Sequence, residues 1–479
     1  MSFQEFAAAV GRRVPDSHRP LVCIQGLGFV GAAMAAAVAG ARDDAGDPCY
    51  DVIGVDLPGG TGQRRVEAIN GGRFPMATSD PKLEDAVAAA HRTGNLIATT
   101  DPDAYRLAQV AVVDIHLDIP FLDERPRLAM DGFAAAIRTL GERLPPGALV
   151  LVETTVPPGT CEKVVVPTLA ETAVRRGLPA DALLVAHSYE RVMPGRDYLD
   201  SIVNYWRVYA GHTPEAAEAC EAFLRRVINV RDYPLTRLSR TVASETAKVM
   251  ENTYRAVNIA FIDEWRRYAE AVGIDLFEVV GAIAKRPTHA NIRWPGFGVG
   301  GYCLTKDPTF APAAVPQLFG LAPIAFPFSA LAVKVNHDMP LGAVDRLEAM
   351  LGGTLAGRRI LLMGISYRQD VDDTRYSPAE TFVRAVEARG GCVVCHDPYV
   401  RFWEELSREV SAALPPPGDV DALVLAVPHR QFRDLDIGAW AGEARPFVLD
   451  ANNVLSADRR RALREAGLRV ESLGRADGL

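Results

Sequence analysis

The stretch "RPLVCIQGLGFVGAAMAAAVAGA", from Arg19 to Ala41, restricts the fold more than any other part of the chain. An apolar run meets a cluster of glycines, and an alanine-rich helical pattern follows at once. Gly26, Gly28 and Gly31 stand in G-x-G-x-x-G spacing. In a strand–turn–helix unit the first glycine permits the tight turn and the second lets a pyrophosphate approach the backbone. The third lets the helix pack on the strand. The helix start at Phe29 and Val30 completes the cofactor-binding stretch, because unpaired N–H groups and the positive dipole end there suit phosphate. A bare glycine pattern is weak, and the same turn occurs in related folds that bind nothing. Here "DVIGVDLP" adds a second strand closing on Asp56, where an acid can hold the adenosine ribose hydroxyls and disfavour a 2′-phosphate. The pattern predicts NAD rather than NADP, with "ARDDAGDP" as a loop inserted between the two strands.

Further short β-branched runs, "VAVVDIHLDIP", "GALVLVETTVPPGT" and "ADALLVAHSYERV", alternate with helical patterns such as "MDGFAAAIRTLGERL". Strands alternating with helices predict a parallel sheet wound with crossovers. From Ser239 the texture changes to "SRTVASETAKVMENTYRAVNIAFIDEWRRYAEAVGID", helical in period and free of Pro and Gly until Gly273. A second long helix, "FSALAVKVNHDMPLGAVDRLEAML", is expected to break near Pro340. From Gly357 the strand–helix alternation resumes. The fold class expected is therefore α/β, with two Rossmann-like doubly wound domains joined by a helical middle section and a long connecting helix. The domains expected are 1–238 for NAD, 239–336 as a helical central or dimerisation domain, and 337–479 as a second α/β domain.

Seven scattered cysteines argue against a secreted disulfide framework. Cys392 and Cys395 form a C-x-x-C without a second pair nearby, which reads as alternating strand positions rather than a metal site. A formal charge of -8 without a basic run disfavours nucleic acid. The N-terminal residues carry early polar and acidic groups and no sustained apolar core, so no signal peptide is expected. No segment has about 18 uninterrupted apolar residues, so no membrane span is expected either. The expectation is a cytoplasmic protein without a metal centre.

Six motifs occur in order: "GLGFVG", "ETTVPPGT", "SYERVMPG", "AKVMENTYRAVNIAFIDE", "GFGVGGYCLTKDP" and "SYRQDVDDTRYSPA". Together, over about residues 20 to 455, they resemble the UDP-sugar 6-dehydrogenase family, which includes the UDP-glucose and UDP-N-acetylhexosamine dehydrogenases. The resemblance implies a four-electron oxidation of a primary alcohol to a carboxylate, using two NAD in succession and a cysteine that carries a thiohemiacetal and then a thioester. It implies a nucleotide-sugar substrate, UDP- or dTDP-linked, and a homodimer or higher homo-oligomer. A third domain that binds the nucleotide sugar also follows from it.

Carried onto this chain, the family pattern makes Cys303 the nucleophile. Thiolate attack needs a lowered pKa, which Lys306 or the N–H groups of the glycine loop can supply. A lone cysteine is more often a small buried hydrophobe. Lys248 and Asn252, at i and i+4 on one helix face, match the family's lysine and asparagine at the oxidised end of the sugar. Without the match, a helical lysine reads as a solvated surface charge. Thr155 matches the residue that positions the catalytic water, and it also borders the cofactor. Glu190 matches the acid acting through that water and Asp307 the carboxylate beside the cysteine; either could equally be half of a plain ion pair. Arg191 stands next to Glu190 on the substrate side. Gly298, Gly300 and Gly301 would let the loop backbone close on sugar or phosphates, with Asn291 and Arg293 preceding them. Arg375 matches a residue turned toward the NAD phosphates, and Arg368 stands where many members carry a substrate-contacting lysine.

Departures from the pattern are also visible. "IHLDIP" replaces the common "CVPTP", and His289 stands where relatives tend to carry an arginine donated across the dimer. "YERVMPG" leans toward the N-acetylhexosamine branch, with UDP-glucose and dTDP-sugars left open. A one-step sugar alcohol dehydrogenase and a non-catalytic nucleotide-sugar-binding protein are the remaining alternatives.

Overall fold

Mostly buried strands and small-residue helices lay down an N-terminal sheet in the computed structural model, which describes residues 2–115, 117, 121–122, 125–192 and 195–475. Eight strands form it: β1 (Leu21–Gln25), β2 (Asp51–Val55), β3 (Leu96–Thr99), β4 (Val110–Val113), β5 (Leu149–Val152), β6 (Leu184–His187), β7 (Val208–Gly211) and β8 (Thr236–Arg237). Their order is β3-β2-β1-β4-β5-β6-β7-β8, so the chain reverses its winding between β1 and β4. The carboxyl ends of those two strands therefore flank the crevice where open α/β sheets take ligands. Pairing is parallel except between β6 and β7, where the strands run antiparallel. The uniformly parallel sheet expected from the alternation is corrected at that point. Among its described residues the β6–β7 connection carries only the one-turn helix Asp200–Val203, and an antiparallel neighbour needs no crossover helix.

Helix α1 (Phe29–Gly40) follows β1, and every residue from Gly31 to Ala39 is buried. A helix enclosed on all sides has no use for an amphipathic stripe, and alanine lets neighbouring elements come close. The chain divides into two compact units: residues 1–250 with 309–325, and residues 251–308 with 326–479. In the first unit, the helix Phe310–Gln317 buries Phe310 in the core, and Gln317 bonds Leu128 N and Pro126 O at 3.0 Å each.

Helix α2 (Thr241–Val272) is 32 residues long, and the division falls within it. The second unit holds its later part, the helices Leu276–Ala284 and Pro327–Met350, and a five-stranded sheet. That sheet comprises β9 (Arg359–Met363), β10 (Cys392–His396), β11 (Ala422–Leu425), β12 (Phe447–Asp450) and β13 (Val470–Ser472). Its order is β10-β9-β11-β12-β13, and all pairings are parallel. The fold class is thus the one expected, two α/β sheets with a helical middle. The helix Pro327–Met350 does not break at Pro340, as its sequence suggested. Pro340 is buried, and packing outweighs the one lost hydrogen bond. Asn336, one turn earlier, donates to Ala256 O at 3.0 Å and fixes this stretch against α2. On β10, Cys392 is exposed and Cys395 is buried, as alternating strand positions require. Among the described residues no helix is long and apolar enough to cross a membrane.

A Cβ at Gly31 would stand 1.9 Å from Gly26 O, a backbone atom that cannot swing aside. Gly40, on the same helix, has nothing within 4 Å of its would-be Cβ. Gly31→Ala is expected to lower Tm by about 3–10 °C while Gly40→Ala leaves it level or slightly raised, read by differential scanning calorimetry.

Candidate active site

In the first unit the β1 loop is built for close approach. Gly26 holds φ +90°, and a Cβ there would meet Asp114 O at 2.5 Å. Gly28 is the N-cap residue of α1 and, having no side chain, makes no side-chain cap hydrogen bond. Tyr198 steadies the turn by donating to Phe29 O at 2.6 Å. Asp56 accepts from Leu27 N at 3.2 Å and Leu57 N at 2.8 Å, and Arg65 lies 3.3 Å from the same carboxylate. A glycine-capped helix start and an acid at the end of β2 fit a dinucleotide's pyrophosphate and ribose.

Beyond β5, Thr155 is half-buried at the strand's carboxyl end. Glu190 lies just past β6 and is buried, and the Lys248 ammonium reaches both its carboxylate, at 3.1 Å, and its carbonyl, at 2.7 Å. The backbone N–H of Val192 donates to the same carboxylate. Lys248 also lies 5.5 Å from the Tyr189 ring centroid. Arg191 turns back to Trp206 O and donates to Tyr189 Oη at 3.1 Å. Met193 and Pro194 of "SYERVMPG", and His116 with residues 118–120 of "IHLDIP", lie outside the described residues.

Three residues here escaped the sequence reading. Asp114 follows β4 and Glu153 follows β5, and Arg207 pairs with Glu153 at 2.6 Å with both side chains almost wholly buried. Burial, then the Glu153 charge, pushes the Asp114 carboxyl far above the usual range; burial also raises Glu153, against the pull of Arg207. No hydrogen-bond donor among the described residues reaches the Asp114 carboxyl oxygens, which disfavours the ionised form of that acid. An acid at the end of each of two adjacent strands was the available signal. Glu245, in the first turns of α2, accepts from Gly159 N at 2.5 Å and Cys161 N at 2.7 Å, fastening the turn after Thr155.

The second unit carries the cysteine loop. Cys303 is exposed, whereas Cys23, Cys161, Cys220 and Cys395 are buried and burial raises their thiol pKa values. Asp307 is fully buried and shared: Lys306 Nζ donates to one oxygen at 2.9 Å and Asn252 Nδ2 to the other at 2.7 Å. The N–H of Asp307 donates to Cys303 O at 2.9 Å, which folds the loop into a turn. Arg255 lies one turn along α2 from Asn252. Its pKa is lowered by desolvation first, and then by the like charges of Arg293 and Arg368. Cys303 pulls the opposite way. Arg255 is a further residue missed in the sequence, where the family motif drew attention to its neighbours. Asn291 donates to Tyr254 Oη at 2.7 Å, and Arg375 holds Asp373 through Nε at 2.9 Å and Nη2 at 2.7 Å.

The loop glycines leave room that the unit itself fills. A Cβ at Gly298 would meet Pro378 at 2.5 Å, and at Gly300 it would meet Tyr367 Cβ at 2.6 Å and Tyr376 O at 2.7 Å. At Gly301 it would meet the Tyr367 ring at 2.7 Å. Bare backbone here admits the segment bearing Tyr367, Arg368 and Arg375, a reason for glycine that is independent of any ligand. Among the described residues no group of three or more His, Cys, Asp or Glu side chains is placed to hold a metal ion.

Three family models match the chain in order. The UDP-glucose/GDP-mannose dehydrogenase family's NAD binding domain matches residues 20–228, its central domain residues 242–337, and its UDP binding domain residues 361–457. A UDP-N-acetyl-D-mannosamine dehydrogenase of Pyrococcus horikoshii is 30% identical over 439 residues, covering 91% of this chain and 96% of that protein. An NDP-N-acetyl-D-galactosaminuronic acid dehydrogenase of Ralstonia nicotianae is 31% identical over 464 residues, covering 93% of this chain and 99% of that protein. The solved structure of a UDP-D-ManNAc dehydrogenase from Pyrococcus horikoshii superposes with a TM-score of 0.78 at 28% identity, covering 95% of this chain and all of that one.

Burial lifts the Glu245 carboxyl from 4.5 to about 7, against the two N–H bonds it accepts. Between those values the folded chain holds a proton that the unfolded chain has lost, so this group's contribution to stability falls as pH rises through the window. Glu245→Gln is expected to remove a contribution on the order of 3 kcal/mol to the stability difference between about pH 4.5 and pH 8. Thermal melts of both proteins across that range check it: the variant's Tm changes less with pH than the parent's.

Proposed function

The chain belongs to the UDP-glucose/GDP-mannose dehydrogenase family, and from that premise we propose that it oxidises the C6 primary alcohol of a nucleotide sugar to the carboxylate through Cys303. The observation that carries this reading is an exposed thiol on a loop whose buried Lys306–Asp307 pair, bonded to half-buried Asn252, and nearby arginines suit an anionic ligand. Its N-terminal domain is an NAD-binding domain, and NAD when bound accepts the hydride in each of the two oxidations.

The residues divide the rest of the chemistry. Lys248 and Asn252 act on the reacting oxygen, stabilising negative charge as the alcohol loses its proton. Cys303 Sγ adds to the aldehyde carbon; the carbonyl electron pair moves to oxygen, which takes a proton, giving a thiohemiacetal. After the second oxidation the acyl group stays on Cys303 as a thioester. Thr155 orients water, Glu190 takes its proton, and cleavage of the C–S bond returns the thiol and frees the acid. Asp307 holds Asn252 and Lys306 in place. Gly26, Gly28, Gly31 and Asp56 would hold the dinucleotide. Arg191, Asn291, Arg293, Arg368 and the Gly298–Gly301 loop would serve the substrate, and Arg375 the cofactor phosphates.

A UDP-N-acetylhexosamine is the substrate favoured, supported by the "YERVMPG" wording and by the acetamido sugars in the names of the relatives above. UDP-glucose or a dTDP-sugar is the alternative. The reading includes a cytoplasmic homodimer. Exposed Tyr254, Phe261, Trp265 and Tyr268 form one stripe along α2 that a second copy would cover, and a monomer in sedimentation equilibrium would remove this part.

An NADH-coupled screen across UDP- and dTDP-sugars is expected to yield two NADH per sugar, with the uronate identified by mass spectrometry. One NADH per sugar would instead mark a one-step alcohol dehydrogenase. Cys303→Ser is expected to keep NAD binding while acid formation falls by about a thousandfold or more.

A further inference from the structure

Tyr302 and Thr305 stand on either side of Cys303 in the loop, and none of the roles above uses them. Thr305 Oγ1 donates to Gly301 O at 2.9 Å, and Gly301 N–H donates to Arg375 O at 3.1 Å. Gly301, at φ +80°, is thus pinned on both sides to hold the loop against the Arg375 segment. Tyr302 is half-buried, and two cations lie over its ring. Lys306 Nζ is 4.2 Å from the ring centroid and the Arg375 guanidinium carbon is 5.6 Å from it. The Tyr376 ring stands 6.1 Å away, tilted by 54°.

Each cation also has its own carboxylate. Asp307 lies 2.9 Å from Lys306, and Asp373 lies 2.7 Å from Arg375. A chain of alternating partners, Asp307–Lys306–Tyr302–Arg375–Asp373, is thus anchored on the loop residues on both sides of Cys303. An aromatic face attracts a cation through its quadrupole, and more so where water is excluded, as it is around buried Lys306. An aliphatic side chain of similar size would fill the space without that attraction. The charge of Cys303 acts on Arg375, so the thiol lies within electrostatic reach of one of the two cations over this ring.

We propose that Tyr302 is a positioning residue whose ring face seats the Lys306 ammonium and the Arg375 guanidinium beside Cys303, and that the seated cations favour the thiolate. The inference rests on the reading of Cys303 as the nucleophile, and it can be tested without any sugar. A thiolate displaces iodide from iodoacetamide, forming the S–C bond and releasing iodide; the neutral thiol reacts far more slowly.

The rate of Cys303 alkylation is followed against pH by mass spectrometry of its peptide, with Cys303→Ser defining the background from exposed Cys392. Tyr302→Leu is expected to move the alkylation midpoint up by about one pH unit, roughly a tenfold slower reaction at neutral pH. Its kcat falls by more than its KM rises. Tyr302→Phe, which keeps the ring face, stays within about twofold of the parent on both measures. Arg375→Gln raises the midpoint as well, and combining it with Tyr302→Leu adds little, because both act through one seat. An unmoved midpoint in Tyr302→Leu overturns the proposal, as does a Tyr302→Phe shift equal to that of leucine. Should the leucine variant fail to fold, an unmoved midpoint in Arg375→Gln overturns it equally. If no sugar is oxidised and the shifts still appear, the nucleotide-sugar reading fails while the seat stands. If sugars are oxidised and the shifts are absent, the reverse holds.

Discussion

A charge taken out of water must be met by another, and buried pairs dictate where this backbone goes. Lys248 meets Glu190, Lys306 meets Asp307, Arg207 meets Glu153 and Arg266 meets Asp263, each pair with little or no exposed side chain. Removing one partner strands the other at a cost of about 3–5 kcal/mol, yet such a pair is often no more stable than well-packed hydrophobic residues. Stability alone therefore does not explain why the chain keeps them. Their locations separate two kinds. Arg266, Asp263 and Glu270 lie on a single helix three and four residues apart and brace it internally. The other three pairs stand beside strand ends or on the cysteine loop, where the proposed reaction would use ionisable groups.

How much of this was legible in the sequence depended on how local each device is. The β1 turn was readable because its whole requirement lies within Gly26–Gly31 and an acid at the end of the next strand. The two α/β sheets and the long helix were readable because periodicity is carried by neighbours in sequence. The Lys306–Asp307 pair was half-readable: the charges were adjacent, but Asn252 as the second claimant on Asp307 is a contact across 55 residues. Asp114, Glu153 and Arg207 left only a faint trace, acids ending two consecutive strand patterns, because their pairing needs the β4–β5 register and a strand that reverses direction. Pro340 misled for a complementary reason. Its local rule predicts a break, and the packing that overrides the rule comes from residues far away in sequence.

The two glycine loops look alike in sequence and are held to glycine by different constraints. At Gly26 and Gly31 the obstructing atoms are backbone oxygens of Asp114 and Gly26, so substitution deforms the turn itself. At Gly298, Gly300 and Gly301 the obstruction comes chiefly from Pro378 and Tyr367, which belong to the segment that also carries Arg368 and Arg375. Absent side chains on the second loop thus set how closely the segment bearing these two arginines approaches the loop that carries Cys303. Coulomb energy falls with distance and is screened steeply once water enters, so an added methyl group need not touch Cys303 to change its field. Packing of this segment against the loop thereby helps set the charge environment of Cys303.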